Sequence, residues 1–123
     1  KPMLRKIDHV VLTTAQPEAC ADFYQKLGFR FVDRGERYEF MAGDFKLNVH
    51  FAGRELEPKA AHVQTGSADL CFEVDSLGTL CQQLAAAGIP VERGPVARHG
   101  VWGQMQSVYV RDPDGNLLEF CEY

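Results

Sequence analysis

The sequence predicts an α+β fold, two β-α-β-β-β modules forming an open, cup-shaped mixed β-barrel with flanking helices. Three observations predict it. Strand-like alternation and helix-like spacing follow one another in the order β-α-β-β-β, and then do so again. The two copies keep a common offset: the glycines that stop the helices, Gly28 and Gly88, are 60 residues apart, and so are His9 and Asp69. A polar, irregular stretch from Gly53 to Gly66 separates the copies. A repeat of this kind constrains a fold more than any single motif. The expected organisation is one domain, with module 1 over about 6–52, a linker at 53–66 and module 2 over about 67–123.

Each element has its own reason. Lys6–Thr14 (KIDHVVLTT) alternates as a strand. Pro17 suits the first turn of a helix, whose apolar face is Ala19, Phe23, Tyr24 and Leu27 and whose stop is Gly28. Phe29–Asp33 reads as a strand, and Arg37–Met41 with Phe45–Ala52 as a hairpin around Ala42-Gly43-Asp44. In the second copy Ala68–Val74 is a strand. Leu77–Ala87 is a helix capped by Ser76, and Val91–Arg93 is a short strand. Gln104–Arg111 and Asn116–Glu122 form a hairpin around Asp112-Pro113-Asp114-Gly115.

The 123 residues, 46% apolar and 24% charged, fit one soluble domain with its own core. A net charge of −4 excludes a basic nucleic-acid footprint. No apolar run approaches the roughly 20 residues that span a bilayer, so no membrane partner is expected, and residues 1–6 lack an apolar h-region, so no secretory signal is expected there. Cys20, Cys71, Cys81 and Cys121 form no CxxC pair and read as reduced core thiols of a cytoplasmic protein.

The polar residues on inward strand faces carry the chemistry. His9 shares a face with Ile7 and Val11, Asp69 with Cys71 and Glu73, and Glu119 with Leu117 and Cys121. The repeat makes His9 and Asp69 equivalent. The first-module counterpart of Glu119 lies among Lys46, Asn48 and His50, and hairpin offsets alone do not choose between them. An imidazole and two carboxylates on such faces need partners. A divalent metal satisfies all three, and this donor set suits iron, manganese, nickel or zinc. Plain structural roles compete: a hydrogen-bonded core histidine, Asp69 capping the turn after Gly66-Ser67, or Glu119 paired with Arg111 or Lys46.

The segments "IDHVVLTT", "FYQKLGF", "LAAAGIPV" and "DPDGNLLEF" resemble the vicinal oxygen chelate superfamily over nearly the whole chain. That group includes glyoxalase I, extradiol dioxygenases and bleomycin resistance proteins. Within it, "GRELEPKAAHVQTGSADLCF" is most similar to the glyoxalase-domain-containing 5 type. The resemblance implies metal ligands at His9 and Glu119, with Asp69 where most members place a second histidine. The fourth-strand acid of glyoxalase I has no match in "KLNVHF", where His50 could substitute or Lys46 could point a cation inward. Tyr109, ten residues before Glu119, and His99 match extradiol residues; Arg98 and His99 otherwise read as a solvated loop.

The expected function is therefore a metal-dependent enzyme on a small oxygen-chelating substrate, extradiol dioxygenase-like, with Tyr109, His99 and His50 as catalytic candidates. The cofactor is a divalent metal, iron or manganese ahead of zinc or nickel, held by His9, Asp69 and Glu119. Two alternatives stand beside it. One is a glyoxalase-like isomerase or lyase on a small carbonyl compound, with Glu119 moving the proton. The other is a metal-free binding or resistance protein. Lys46, Asn48, Phe51, Trp102 and Met105 are the expected substrate-lining residues. Exposed sheet edges, and the habit of the resembled family, predict a homodimer.

Overall fold

The computed structural model describes residues 3–123. The part of the N-terminal reading that falls on Lys1 and Pro2 lies outside the described residues. The chain divides into two compact units, one ending at Thr65 and the other running Gly66–Tyr123.

The first unit contains β1 (His9–Thr14), α1 (Pro17–Lys26), β2 (Arg30–Asp33), β3 (Arg37–Ala42) and β4 (Phe45–Phe51). Its open four-stranded sheet has the order β1-β4-β3-β2. β1 runs parallel to β4, and the other pairs are antiparallel. β1 begins at His9, later than the expected Lys6; the Lys6 ammonium lies 2.8 Å from the Asp44 carboxylate and 2.9 Å from its carbonyl. α1 covers one face. Tyr24, fully buried, packs against Phe40 at 5.1 Å and Phe29 at 5.7 Å between ring centroids. Phe31 stacks on Phe40, and Tyr38 meets Phe51 edge-on at 4.9 Å. Burying such aromatic side chains contributes about 2–3 kcal/mol each and anchors the helix to the sheet.

The second unit contains β5 (Asp69–Glu73), α2 (Leu77–Ala86), β6 (Arg93–Gly100), β7 (Gly103–Arg111) and β8 (Leu117–Glu122). Its sheet order, β5-β8-β7-β6, reproduces the first with β5 and β8 parallel. Leu77, Leu80 and Leu84 of α2 are buried, as are Val108, Val110, Leu118 and Phe120 of the sheet. Ser76 caps the helix through a bond from the Thr79 amide at 3.1 Å.

One strand departs from expectation. The short strand expected at Val91–Arg93 is instead the eight-residue β6, which includes Arg98 and His99. "RGPVARHG" reads as loop because proline gives no ladder donor. At a sheet edge that defect is tolerated, and the register shifts between Arg93 and Val96 to absorb it.

The Asp112–Asn116 turn locks the second unit. Asp112 Oδ1 accepts the amides of Asp114 and Asn116, both at 2.9 Å, and Oδ2 accepts Asn116 Nδ2 at 2.8 Å. Asn116 Oδ1 in turn accepts the Ala68 amide at 2.9 Å, tying the turn to the entry of β5. Gly66 (φ 71°) lies so close beneath the turn that a Cβ there would stand 2.5 Å from the Asp114 carbonyl oxygen.

Candidate active site

Each sheet has one face under its helix and one polar face. On the first sheet, register pairs place His9 beside Lys46, Val11 beside Asn48, and Thr13 beside His50. On the other side of β4, Lys46 pairs with Met41, Asn48 with Glu39, and His50 with Arg37. Phe51, expected to line a substrate, alternates onto the helix face and packs on Tyr38 there.

Glu39 is the centre of this face. It is 3% exposed and receives three cations: Arg37 Nη2 at 2.7 Å, Lys46 Nζ at 3.1 Å and Arg34 Nε at 3.2 Å. The Arg37 hydrogen bond, with those of Lys46 and Arg34, outweighs desolvation and holds the carboxyl down at about 2. Lys46 is thereby committed to Glu39. Among the described residues, Asn48, 8% exposed, keeps its Oδ1 buried without a partner, and Arg37 Nε is also buried and unpartnered. His50 accepts the Leu56 amide at Nδ1, 3.4 Å away. Burial and the nearby Arg37 charge lower its pKa against the pull of Glu55.

His9 is held by its neighbour. Nδ1 lies 2.7 Å from Asp8 Oδ1, and this contact lowers the Asp8 pKa. A carboxylate on Nδ1 fixes the ring and leaves Nε2 as the donor atom, the arrangement that metal-binding histidines favour.

On the second sheet the polar face carries Asp69, Cys71 and Glu73 of β5 beside Leu117, Glu119 and Cys121 of β8. Arg111, Tyr109 and Ser107 of β7 complete it, with Tyr109 opposite Glu119. Neither partner expected for Glu119 takes it. Arg111 turns to Glu92 at 3.0 and 3.2 Å, and Lys46 to Glu39. Among the described residues, Glu119 Oε2 is buried with no hydrogen-bond partner. The turn after Gly66 is closed by Asn116, not by Asp69. Tyr109 is positioned by Arg98, whose Nε donates to the phenol oxygen at 2.9 Å and whose guanidinium lies 5.5 Å from the ring centroid. Cys71 was expected in the core. As a residue it is exposed, yet desolvation of its sulfur and a hydrogen bond with Cys121 push its thiol well up.

A cavity of about 390 Å³ opens on this face, lined among others by Cys71, Glu73, Arg98, Met105, Glu119 and Cys121. His99 borders it. His99 is an exposed residue of β6 next to Arg98, so alternation turns it from the face that holds Tyr109. Trp102 also borders it, 80% exposed at the β6–β7 turn.

The registers settle which residue is the counterpart of Glu119. His9 pairs with Lys46 as Asp69 pairs with Leu117, so Asn48, two residues on, corresponds to Glu119. Glu39 likewise corresponds to Tyr109. No group of three or more His, Cys, Asp or Glu side chains able to hold a metal is assembled among the described residues. Sequence reasoning missed Glu39 and the role of Arg98. The signal for Glu39 was its parity with Arg37 in "RYEFMA", which becomes readable once the hairpin register is known.

Comparison with known proteins agrees with this architecture. Residues 6–120 match the family described as the Glyoxalase/Bleomycin resistance protein/Dioxygenase superfamily. The chain is 43% identical to "Glyoxalase domain-containing protein RDO1" of Mycosarcoma maydis, over 98% of this chain and 69% of that one. It is 40% identical to virulence protein STM3117 of Salmonella typhimurium, over 98% of this chain and 86% of that one. The crystal structure of STM3117 superposes with a TM-score of 0.93 at 39% identity, covering 99% of both chains. Lactoylglutathione lyase from Agrobacterium tumefaciens superposes with a TM-score of 0.76 at 25% identity, covering 98% of this chain and 96% of that one. The chain belongs to the Glyoxalase/Bleomycin resistance protein/Dioxygenase superfamily.

Proposed function

We propose that the protein is a metal-dependent enzyme acting on a small oxygen-chelating substrate by glyoxalase- or lyase-like proton transfer. The observation that carries this reading is Glu119: a carboxylate oxygen buried without a partner beside a positioned phenol. His9 and Glu119 are the residues proposed to hold the metal, with Asp69 as a third donor. The donor chemistry fits. His9 has its Nδ1 occupied by Asp8 and its Nε2 available, and an orphaned oxygen stands on Glu119. Imidazole and carboxylate donors suit a divalent first-row ion. When bound, that ion would supply Lewis acidity to two adjacent substrate oxygens.

The chain's own residues would do the rest. Glu119, with no hydrogen bond spent on Oε2, can take or return a proton there. Tyr109 accepts from Arg98 Nε, which leaves its hydroxyl proton to donate to a substrate oxygen. Glyoxalase- or lyase-like chemistry requires one mobile carboxylate, and Glu119 provides it.

The dioxygenase-like reading stands second. Tyr109 directly opposite Glu119 favours it, while the placement of His99 on the alternate face weighs against it. The relatives named for glyoxalase and lactoylglutathione lyase support the first reading. A homodimer is proposed with it, to be checked by sedimentation at micromolar concentration.

The test is metal analysis of protein purified without chelator, followed by loading with manganese, iron, nickel or zinc. The loaded protein is then assayed for thioester formation from the hemithioacetal of glutathione and a 2-oxoaldehyde and, separately, for oxygen uptake with a catechol. We expect one metal per chain, lost in both His9→Ala and Glu119→Ala, and formation of the thioester without oxygen uptake. Oxygen uptake would shift the assignment to the dioxygenase. Stoichiometric metal retained by both variants, or none bound by the native protein, would overturn the proposal.

A further inference from the structure

The polar face of the first sheet holds more positive charge than its structure uses. Arg34, Arg37 and Lys46 converge on the single carboxylate of Glu39, and Arg30, on the same face, has only the Met41 sulfur, at 3.4 Å, as a hydrogen-bond partner among the described residues. Asp8, which feels the Lys46 charge, and Glu55, near His50, are the further anions. Four cations against three carboxylates leave this patch at +1 in a chain whose net charge is −4. Such a focus of charge on a sheet face draws anions.

Two unsatisfied groups point the same way. Arg37 donates Nη2 to Glu39, but its Nε is buried without an acceptor. Asn48, more than nine-tenths buried, has an amide oxygen without a partner. Turning that amide by 180° presents its NH2 in the same place. Guanidinium forks recognise planar or tetrahedral oxyanions through paired N–H groups. Buried polar groups are nearly always satisfied, so two orphans on neighbouring strands of one cationic face mark where something binds.

We propose that Arg34, Arg37, Lys46 and Asn48 form a binding site for a small organic anion, gripping its carboxylate or phosphate group. Taken together with the proposed function, on which this extension rests, the enzyme's substrate is anionic. Glu39 then has a second role. It holds the three cations in place while leaving them an undischarged surplus.

The experiment is calorimetric titration of chelator-treated protein with oxalate, malonate and inorganic phosphate, using malonamide as the neutral control. Working without metal keeps this test separate from that of the proposed function. Anion binding here, with no metal taken up in the separate loading test, would sink only that function; metal taken up in that test, with no anion binding here, would sink only this inference. We expect millimolar or tighter binding of the anions and none of malonamide. A preference for oxalate and malonate identifies a carboxylate substrate; a preference for phosphate identifies a phosphorylated one. Arg37→Gln and Lys46→Gln should each weaken binding about tenfold or more. Glu39→Gln, which raises the surplus charge by one, should tighten it several-fold in folded protein. Binding that is absent, that malonamide matches, or that none of the three variants changes would overturn the proposal.

Discussion

Glu39→Gln preserves shape and removes one charge from the most crowded polar cluster of the first unit. The side chain is 4% exposed, and the carboxyl sits at about 2 instead of 4.5. At about 1.4 kcal/mol per tenfold change in proton affinity, the charged form contributes about 3 kcal/mol at neutral pH. Screening trims this, because the Arg34 side chain is 57% exposed, and the amide still accepts one bond. About 2 kcal/mol should remain as the cost of the substitution. Its pH dependence has a definite sign. The folded carboxyl is more acidic than the unfolded one, so its stabilisation is fully present above about pH 4.5. It is lost as the pH falls towards about 2. Urea unfolding of both proteins at pH 7, 4 and 2.5 measures the gap, which should shrink steadily below pH 4.5. A gap that stays constant from pH 7 to 2.5, or a variant as stable as the native protein at pH 7, would refute the reasoning.

Asp112→Ala removes the acceptor of three bonds at 2.8–2.9 Å in a buried turn and should cost about 3 kcal/mol in urea unfolding. Gly66→Ala forces a Cβ against the Asp114 carbonyl at positive φ, and its unfolding midpoint should fall by the equivalent of about 2 kcal/mol. Ser76→Ala removes the cap of α2 and should cost about 1 kcal/mol; a thermal scan unchanged by it would contradict the capping role. Tyr109→Phe loses the phenol that Arg98 orients, and in the proposed reaction turnover should fall on the order of 10–100-fold with little change in thermal midpoint.

The fold was readable because its signals are local. Pro17, Gly28, Ser76 and Gly88 stand at helix ends, and the 60-residue offset repeats the order of elements. β6 was not readable, because an edge strand tolerates a Gly-Pro pair that propensity assigns to loop. The candidate site was legible as a set of residues and not as a set of partnerships. Alternation placed His9, Asp69 and Glu119 on polar faces. It could not say that Lys46 and Arg111 are engaged by Glu39 and Glu92, which leaves Glu119 without them. Those choices depend on cross-strand register, and a one-residue difference in a turn reverses them.

The two sheets share a ladder and divide their chemistry. Asn48 and Glu119 occupy equivalent positions, each with an orphaned oxygen, yet one is a neutral amide and the other a carboxylate. Opposite them stand Glu39 and Tyr109, one a carboxylate bound by three cations and the other a phenol held by one. Had Asn48 been acidic, two carboxylates would sit side by side across β3 and β4 and compete for Arg37 and Lys46. The cationic surplus would then be smaller by one. A neutral residue at position 48 keeps that surplus available to a ligand. On the second sheet, Arg98 donates to Tyr109 while Arg111 is drawn away by Glu92, so no cation discharges Glu119 Oε2. In each sheet the ion pairs hold most of the charge in place and leave one kind of group unspent. Those groups are cations on the first sheet and a carboxylate oxygen on the second.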